Sequence, residues 1–169
     1  MLAFAVSFDG PIAIRYPRGS AHQGLREYQV PVEYGRSEII RKGKKIAVLG
    51  VGSMIPSCME ICKGLKDDGY DPTFVNARFV KPLDVDLLDE LAKDHSLFVT
   101  VEENVKSGGY GEHVSAYMEA CHPEIRVLSA AVWDRFVPQG NVESLRSRIG
   151  LGVEDIRQAI EDSEELREQ

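Results

Sequence analysis

Apolar and polar positions along this chain follow two rhythms. Dense apolar runs recur at 46–51 (IAVLGV), 73–79 (TFVNARF), 97–101 (LFVTV) and 126–132 (RVLSAAV). Runs this short and this apolar predict strands buried on both faces, as in parallel sheets. A shorter run at 37–41 predicts an edge strand, and Ile12 to Tyr16 predicts another short strand, closed by Pro17 and Gly19. Between the runs, apolar residues return at helical spacing. Ile55, Met59, Cys62 and Lys66 share one stripe, widened by Cys58, Ile61 and Leu65. Ser53 suits the N-cap of that helix, Pro56 its first turn and Gly69 its C-terminal stop. Pro82 and Asp84 open a second helix through Ala92, whose acidic start and basic end complement the helix dipole. Further helices are predicted within 108–121, 141–149 and 153–166, and the apolar start at Met1 reads as the end of an amphipathic helix.

Strand and helix thus alternate, which predicts an α/β fold with a mostly parallel sheet and helices on both faces. Residues 20–36 hold Gly24, Pro31 and Gly35 without any sustained period, and read as an interdomain linker. The predicted division is 1–19 as the tail of a preceding domain, 20–36 as linker and 37–169 as the main domain. Met1 is read as a cut point rather than a biological start.

Charge narrows the function classes. The 169 residues carry a formal net charge of −7, which argues against nucleic-acid and anionic-membrane partners. It leaves room for a local basic pocket. Three cysteines, Cys58, Cys62 and Cys121, do not form a disulfide framework and point to a reducing, cytoplasmic setting. No apolar run reaches the roughly 20 residues of a membrane span.

Several stretches could carry chemistry. Gly50 and Gly52 lie at a strand-to-helix turn, but Ile55 stands where a dinucleotide motif needs its last glycine. A tight turn for close helix packing is the better reading. Glu102 and Glu103 follow a strand, where acid–base groups often gather. Neighbours in a strand face opposite ways, so they cannot act as a close pair. One is read as packed or bonded at an interface, the other as solvated. His113 lies near them at a helix start, without the companions a zinc site requires. Cys58 and Cys62 are read as small core residues. Arg78 and Lys81 flank a helix start, as turn residues or as a contact fixing this domain on a neighbour. Phe136, Val137 and Pro138 form an exposed-looking apolar loop of the kind that marks interfaces. Arg15, in "GPIAIRYPRG", suits a phosphate because its planar fork binds bidentately and stays charged. It equally suits a bridge to a carboxylate of another domain, and composition does not separate the two.

Four stretches together carry a family likeness: "DGPIAIRYPRG", "DPTFVNARFVKPLD", "LFVTVEENVKSGGYG" and "FVPQG". In this order they resemble the C-terminal part of the 1-deoxy-D-xylulose-5-phosphate synthases, thiamine-diphosphate enzymes of the transketolase superfamily. The resemblance runs from Asp9 to about Ile160. It implies a three-layer α/β/α domain on a mixed, mostly parallel sheet of about five strands, with the first short strand as the antiparallel edge. It implies a transferase that condenses pyruvate with glyceraldehyde 3-phosphate, releases CO2 and supplies isoprenoid and thiamine precursors. Thiamine diphosphate and Mg2+ would carry that chemistry. Their motifs belong to other domains of the family, so no catalytic, cofactor or metal residue is expected here, and the isolated chain is expected to be inactive. Arg15 matches the arginine that grips the aldehyde's phosphate, and Arg18 would support the turn or an interdomain bridge. The implied partners are the missing N-terminal and pyrimidine-binding domains and a second copy in a homodimer. Two other readings stay open. One is the C-terminal domain of a 2-oxo-acid dehydrogenase β subunit, and the other is a free-standing interaction domain of the same fold. Arg78-Phe79-Val80-Lys81-Pro82-Leu83-Asp84, Asn104 and Pro138-Gln139-Gly140 favour the synthase over the dehydrogenase.

Overall fold

The dense apolar runs become the middle of a single sheet in the computed structural model, which describes residues 1–16, 24–25, 28 and 30–163. Its strands are β1 (Glu38–Arg41), β2 (Lys45–Gly50), β3 (Thr73–Asn76), β4 (His95–Val105) and β5 (Arg126–Val132). They lie in the order β1-β3-β2-β4-β5. β1 runs antiparallel to β3, while β3, β2, β4 and β5 are mutually parallel. Helices cover both faces: α2 (Ile55–Asp67) and α6 (Val153–Glu161) on one, α3 (Val85–Leu91) and α4 (Tyr110–Cys121) on the other. The expected three-layer α/β/α class with a mixed, mostly parallel five-stranded sheet is therefore the fold observed.

Period-two alternation divides the core between the two faces. Ile46 and Val48 of β2 meet Val99 and Val101 of β4 beneath Cys58, Ile61, Leu65, Ile156 and Ile160. Ala47 and Leu49 pack with Phe98 under Leu88, Tyr110, Val114 and Met118. Cys58 and Cys62 are core residues, as expected, and burial pushes both thiols up, that of Cys62 to about 12. The reading of Gly50 also holds. A Cβ there would stand 2.8 Å from Cys58 Sγ and 2.9 Å from Ile55 Cδ1, so only glycine lets α2 lie this close to the sheet. Asp84 caps α3 by accepting from the Leu87 N–H at 3.3 Å, and it also accepts from the Ser37 N–H at 2.7 Å.

Local expectations are corrected at several points. Residues 12–16 form no strand, because among the described residues no ladder partner lies beside them; Pro17 and Gly19 fall outside the described residues. Ser53 does not cap α2. It sits in a 3-10 turn, Gly52–Met54, and its hydroxyl reaches Glu103 instead. β3 stops at Asn76 rather than Phe79, because Arg78 adopts a left-handed φ of 47°. That turn aims its guanidinium at buried Glu38 (2.5 Å) and at the carbonyls of Val30 (3.1 Å) and Pro31 (3.3 Å). Arg78 thereby ties residues 30–31 of this same chain to β1. β4 runs past 101 to Val105, and α5 (Val142–Arg148) fills the helix expected at 141–149. The first helix, α1 (Leu2–Ser7), joins the main body through an aromatic chain in which Phe4 meets Phe79 edge-on and Phe8 stacks on Tyr34.

Candidate functional site

The sheet order creates one position where chain direction diverges. From β2 the chain crosses to β3 on one side, and from β3 it crosses back to β4 on the other. The carboxyl ends of β2 and β4 therefore flank a topological switch point, the place where open α/β sheets gather ligands. The Gly52–Met54 turn supplies Ser53 to this crevice, the end of β4 supplies Glu103, and α5 supplies Arg146.

Glu103 organises the cluster. Arg146 Nε donates to Glu103 Oε1 and Arg146 Nη2 to Glu103 Oε2, both at 3.1 Å, the bidentate geometry that suits guanidinium and carboxylate. Ser53 Oγ donates to Oε2 at 2.7 Å. Partial burial pushes the Glu103 carboxyl up. The hydrogen bonds from Arg146 and Ser53, with the charges of Arg146 and Arg15, outweigh that and hold it below the usual carboxylate range. Arg15 joins through the main chain, its Nη2 donating to the Glu103 carbonyl at 2.9 Å across 88 residues of sequence. Its side chain is otherwise exposed. Two arginines and one carboxylate at a sheet's carboxyl edge can hold an anion; the Ser53 hydroxyl lies against a carboxylate that Arg146 already pairs and whose pKa is held low, which leaves that carboxylate a poor base.

On the opposite face Glu102 is buried at 2% exposure. Its carboxylate accepts from the Tyr110 N–H at 3.0 Å and the Gly111 N–H at 2.8 Å, closing the first turn of α4. "SGGYGEH" explains the approach. A Cβ on Gly109 would lie 2.6 Å from Glu102 Oε1, and one on Gly111 would lie 2.5 Å from Thr100 Oγ1. The two glutamates do face opposite ways, as their adjacency requires. The expectation that the second is solvated is corrected, because Glu103 is ion-paired.

The remaining candidates do not join this cluster. His113 is exposed on α4. His95 is buried, hydrogen-bonded to Thr73 Oγ1 and the Leu91 carbonyl, and burial holds it below the usual imidazole range. His122 and Tyr117 share Asp89 Oδ1, each at 2.8 Å, on the far side of α4. Phe136 is fully exposed, as its loop's composition implied. Arg18 lies outside the described residues. Among the described residues, no group of three or more His, Cys, Asp or Glu is placed to hold a metal ion. Arg146 and Ser53 escaped the sequence reading. Arg146 is 43 residues from Glu103, and nothing in "VESLRSR" distinguishes it from a basic helix end.

The model of the family described as transketolase, C-terminal domain, matches residues 35–156. The 1-deoxy-D-xylulose-5-phosphate synthase of Lachnoclostridium phytofermentans is 41% identical over 157 residues, covering 92% of this chain and 25% of that protein. The synthase of Nitrosomonas europaea is 41% identical over 164 residues, covering 96% of this chain and 26% of that protein. The chain thus spans about a quarter of the length of the curated relatives it matches. Among solved structures, a split gene transketolase described as an inactive beta4 tetramer superposes with a TM-score of 0.74 at 28% identity, over 82% of this chain and 44% of that one.

Proposed function

The chain belongs to the transketolase C-terminal domain family, and from that premise we propose that it serves a thiamine-diphosphate-dependent synthase. That enzyme condenses pyruvate with glyceraldehyde 3-phosphate to give 1-deoxy-D-xylulose 5-phosphate and CO2. The observation that carries this reading is identity of 41% to named synthases over more than nine-tenths of the chain.

Among the described residues no group of three or more His, Cys, Asp or Glu is placed to hold a metal ion, so they do not fit Mg2+. In this reading, residues outside the chain hold thiamine diphosphate and Mg2+, and the cofactor supplies the carbanion chemistry. The chain's part is binding and scaffolding. Arg15, tethered at the switch point through the Glu103 carbonyl, presents a fixed cation to the aldehyde's phosphate. Residues 1–19 end a preceding domain, 20–36 link it, and 37–169 pack against it and against a second copy in a homodimer. Arg18, outside the described residues, supports the Arg15 motif or an interdomain bridge. In this reading the enzyme works in the cytoplasm, the setting that suits the free cysteines Cys58, Cys62 and Cys121. Alone, the chain is inactive, a behaviour with a parallel in the inactive split transketolase.

A chimera tests this. The matching quarter of the Lachnoclostridium phytofermentans synthase is replaced by this chain, and condensation of pyruvate with glyceraldehyde 3-phosphate is followed. Activity is expected, and Arg15→Ala should raise KM for the phosphorylated aldehyde by about tenfold, the scale of one lost charge-assisted contact, with KM for pyruvate unmoved. A chimera that binds thiamine diphosphate yet makes no product would overturn the proposal. Calorimetric titration of the isolated chain with thiamine diphosphate and Mg2+ should show no stoichiometric binding.

A further inference from the structure

Arg15 bonds to a glutamate residue without pairing with its carboxylate. Its Nη2 donates to the Glu103 main-chain carbonyl, while both carboxylate oxygens are taken by Arg146 and one also by Ser53. A neutral carbonyl fixes the direction of a guanidinium without pairing its charge. A free carboxylate at the same place would form a charge-assisted pair with it and compete with any incoming anion. The cluster as built holds two cations against one anion, so one positive charge remains at the sheet's carboxyl edge.

We propose that Arg146, helped by Ser53, keeps the Glu103 carboxylate occupied so that Arg15 stays available to a phosphate monoester dianion. Arg146 is then a positioning residue that acts through Glu103, and α5 becomes part of the machinery that sets phosphate affinity. The inference rests on the reading of Arg15 given under Proposed function. It also explains why Glu103 sits so close to an anion site without spoiling it: its charge is already answered from the α5 side.

The test uses the chain itself, labelled with 15N-arginine and titrated with inorganic phosphate, with Arg15 guanidinium signals as the readout. Arg146→Ala should shift those signals before any phosphate is added, as Arg15 turns to the freed carboxylate. It should also weaken phosphate binding by about fivefold, the scale of one competing surface ion pair. Adding Glu103→Gln to Arg146→Ala should restore both signals and affinity, which a merely structural role would not allow. Arg146→Lys, which keeps the charge but loses the bidentate fork, should fall between, and it carries the test if Arg146→Ala does not fold. Unchanged Arg15 signals in these variants, or a loss that Glu103→Gln fails to rescue, would overturn the inference. If Arg15→Ala itself leaves phosphate affinity unchanged, the phosphate reading of Arg15 fails instead.

Discussion

Glu102 and Glu103 are consecutive residues on one strand, yet they serve two unlike regions. On the α4 side, Glu102 is buried and satisfied by backbone N–H groups, in a pocket shaped by two glycines. On the α5 side, Glu103 stays about one-third exposed and is satisfied by the side chains of Ser53 and Arg146, arriving from distant parts of the sequence. The first arrangement joins residues eight and nine apart, and its partners cannot be rearranged without moving a helix. The second joins flexible side chains that can exchange partners. Strand pleating separates the two, so a single strand end can anchor a helix on one face and present adjustable charge on the other.

Four substitutions break or sharpen this contrast. Glu102→Ala has the largest expected effect, because it strands the Tyr110 and Gly111 N–H groups inside the protein. Chemical denaturation should show a loss of about 2–4 kcal/mol. Gly111→Ala follows, since its Cβ would stand 2.5 Å from Thr100 Oγ1. Overpacking of this kind costs about 1–3 kcal/mol, measurable as a lower Tm. Glu103→Gln should cost under about 1 kcal/mol at neutral pH, as expected for a partly exposed pair. Its sign with pH follows from a folded-state pKa held below the ordinary value. The ion pair stabilises above the usual carboxylate range and ceases to do so as pH falls through the lowered pKa. Unfolding curves of the wild type and Glu103→Gln should therefore converge in acid. Thr100→Val should move stability least. Thr100 Oγ1 is buried without a hydrogen-bond partner, so an isosteric methyl should be neutral or stabilise by up to about 1 kcal/mol.

Much of the fold was legible because it depends on local pattern. The runs at 46–51 and 126–132 gave strands, and the stripe from Ile55 to Lys66 gave α2 almost to the residue. Gly50, at a strand-to-helix turn, implied the close helix contact that its Cβ distances to Cys58 and Ile55 require. What escaped was decided by partners remote in sequence. Ile12 to Tyr16 has strand-like residues but, among the described residues, no neighbouring strand to pair with. Ser53 has the chemistry of a cap, and the carboxylate at Glu103, 50 residues away, took its hydroxyl. Phe79 looked continuous with β3 until Arg78 turned to reach Glu38. The candidate site shows the same division. Arg15 carried a motif and Glu103 a strand-end position, whereas Arg146 became meaningful only when α5 folded back over the sheet edge.

The backbone amides at the start of a helix have no partner within it and ordinarily trade their hydrogens with solvent quickly. In α4 the amides of Tyr110 and Gly111 instead end on a carboxylate sealed beneath the helix. Their deuterium uptake should be as slow as that of β4, and it should require the sheet and α4 to come apart together. Helix start and strand end would then open as one cooperative unit, separate from the side-chain contacts that Arg15, Ser53 and Arg146 make to Glu103 on the other face.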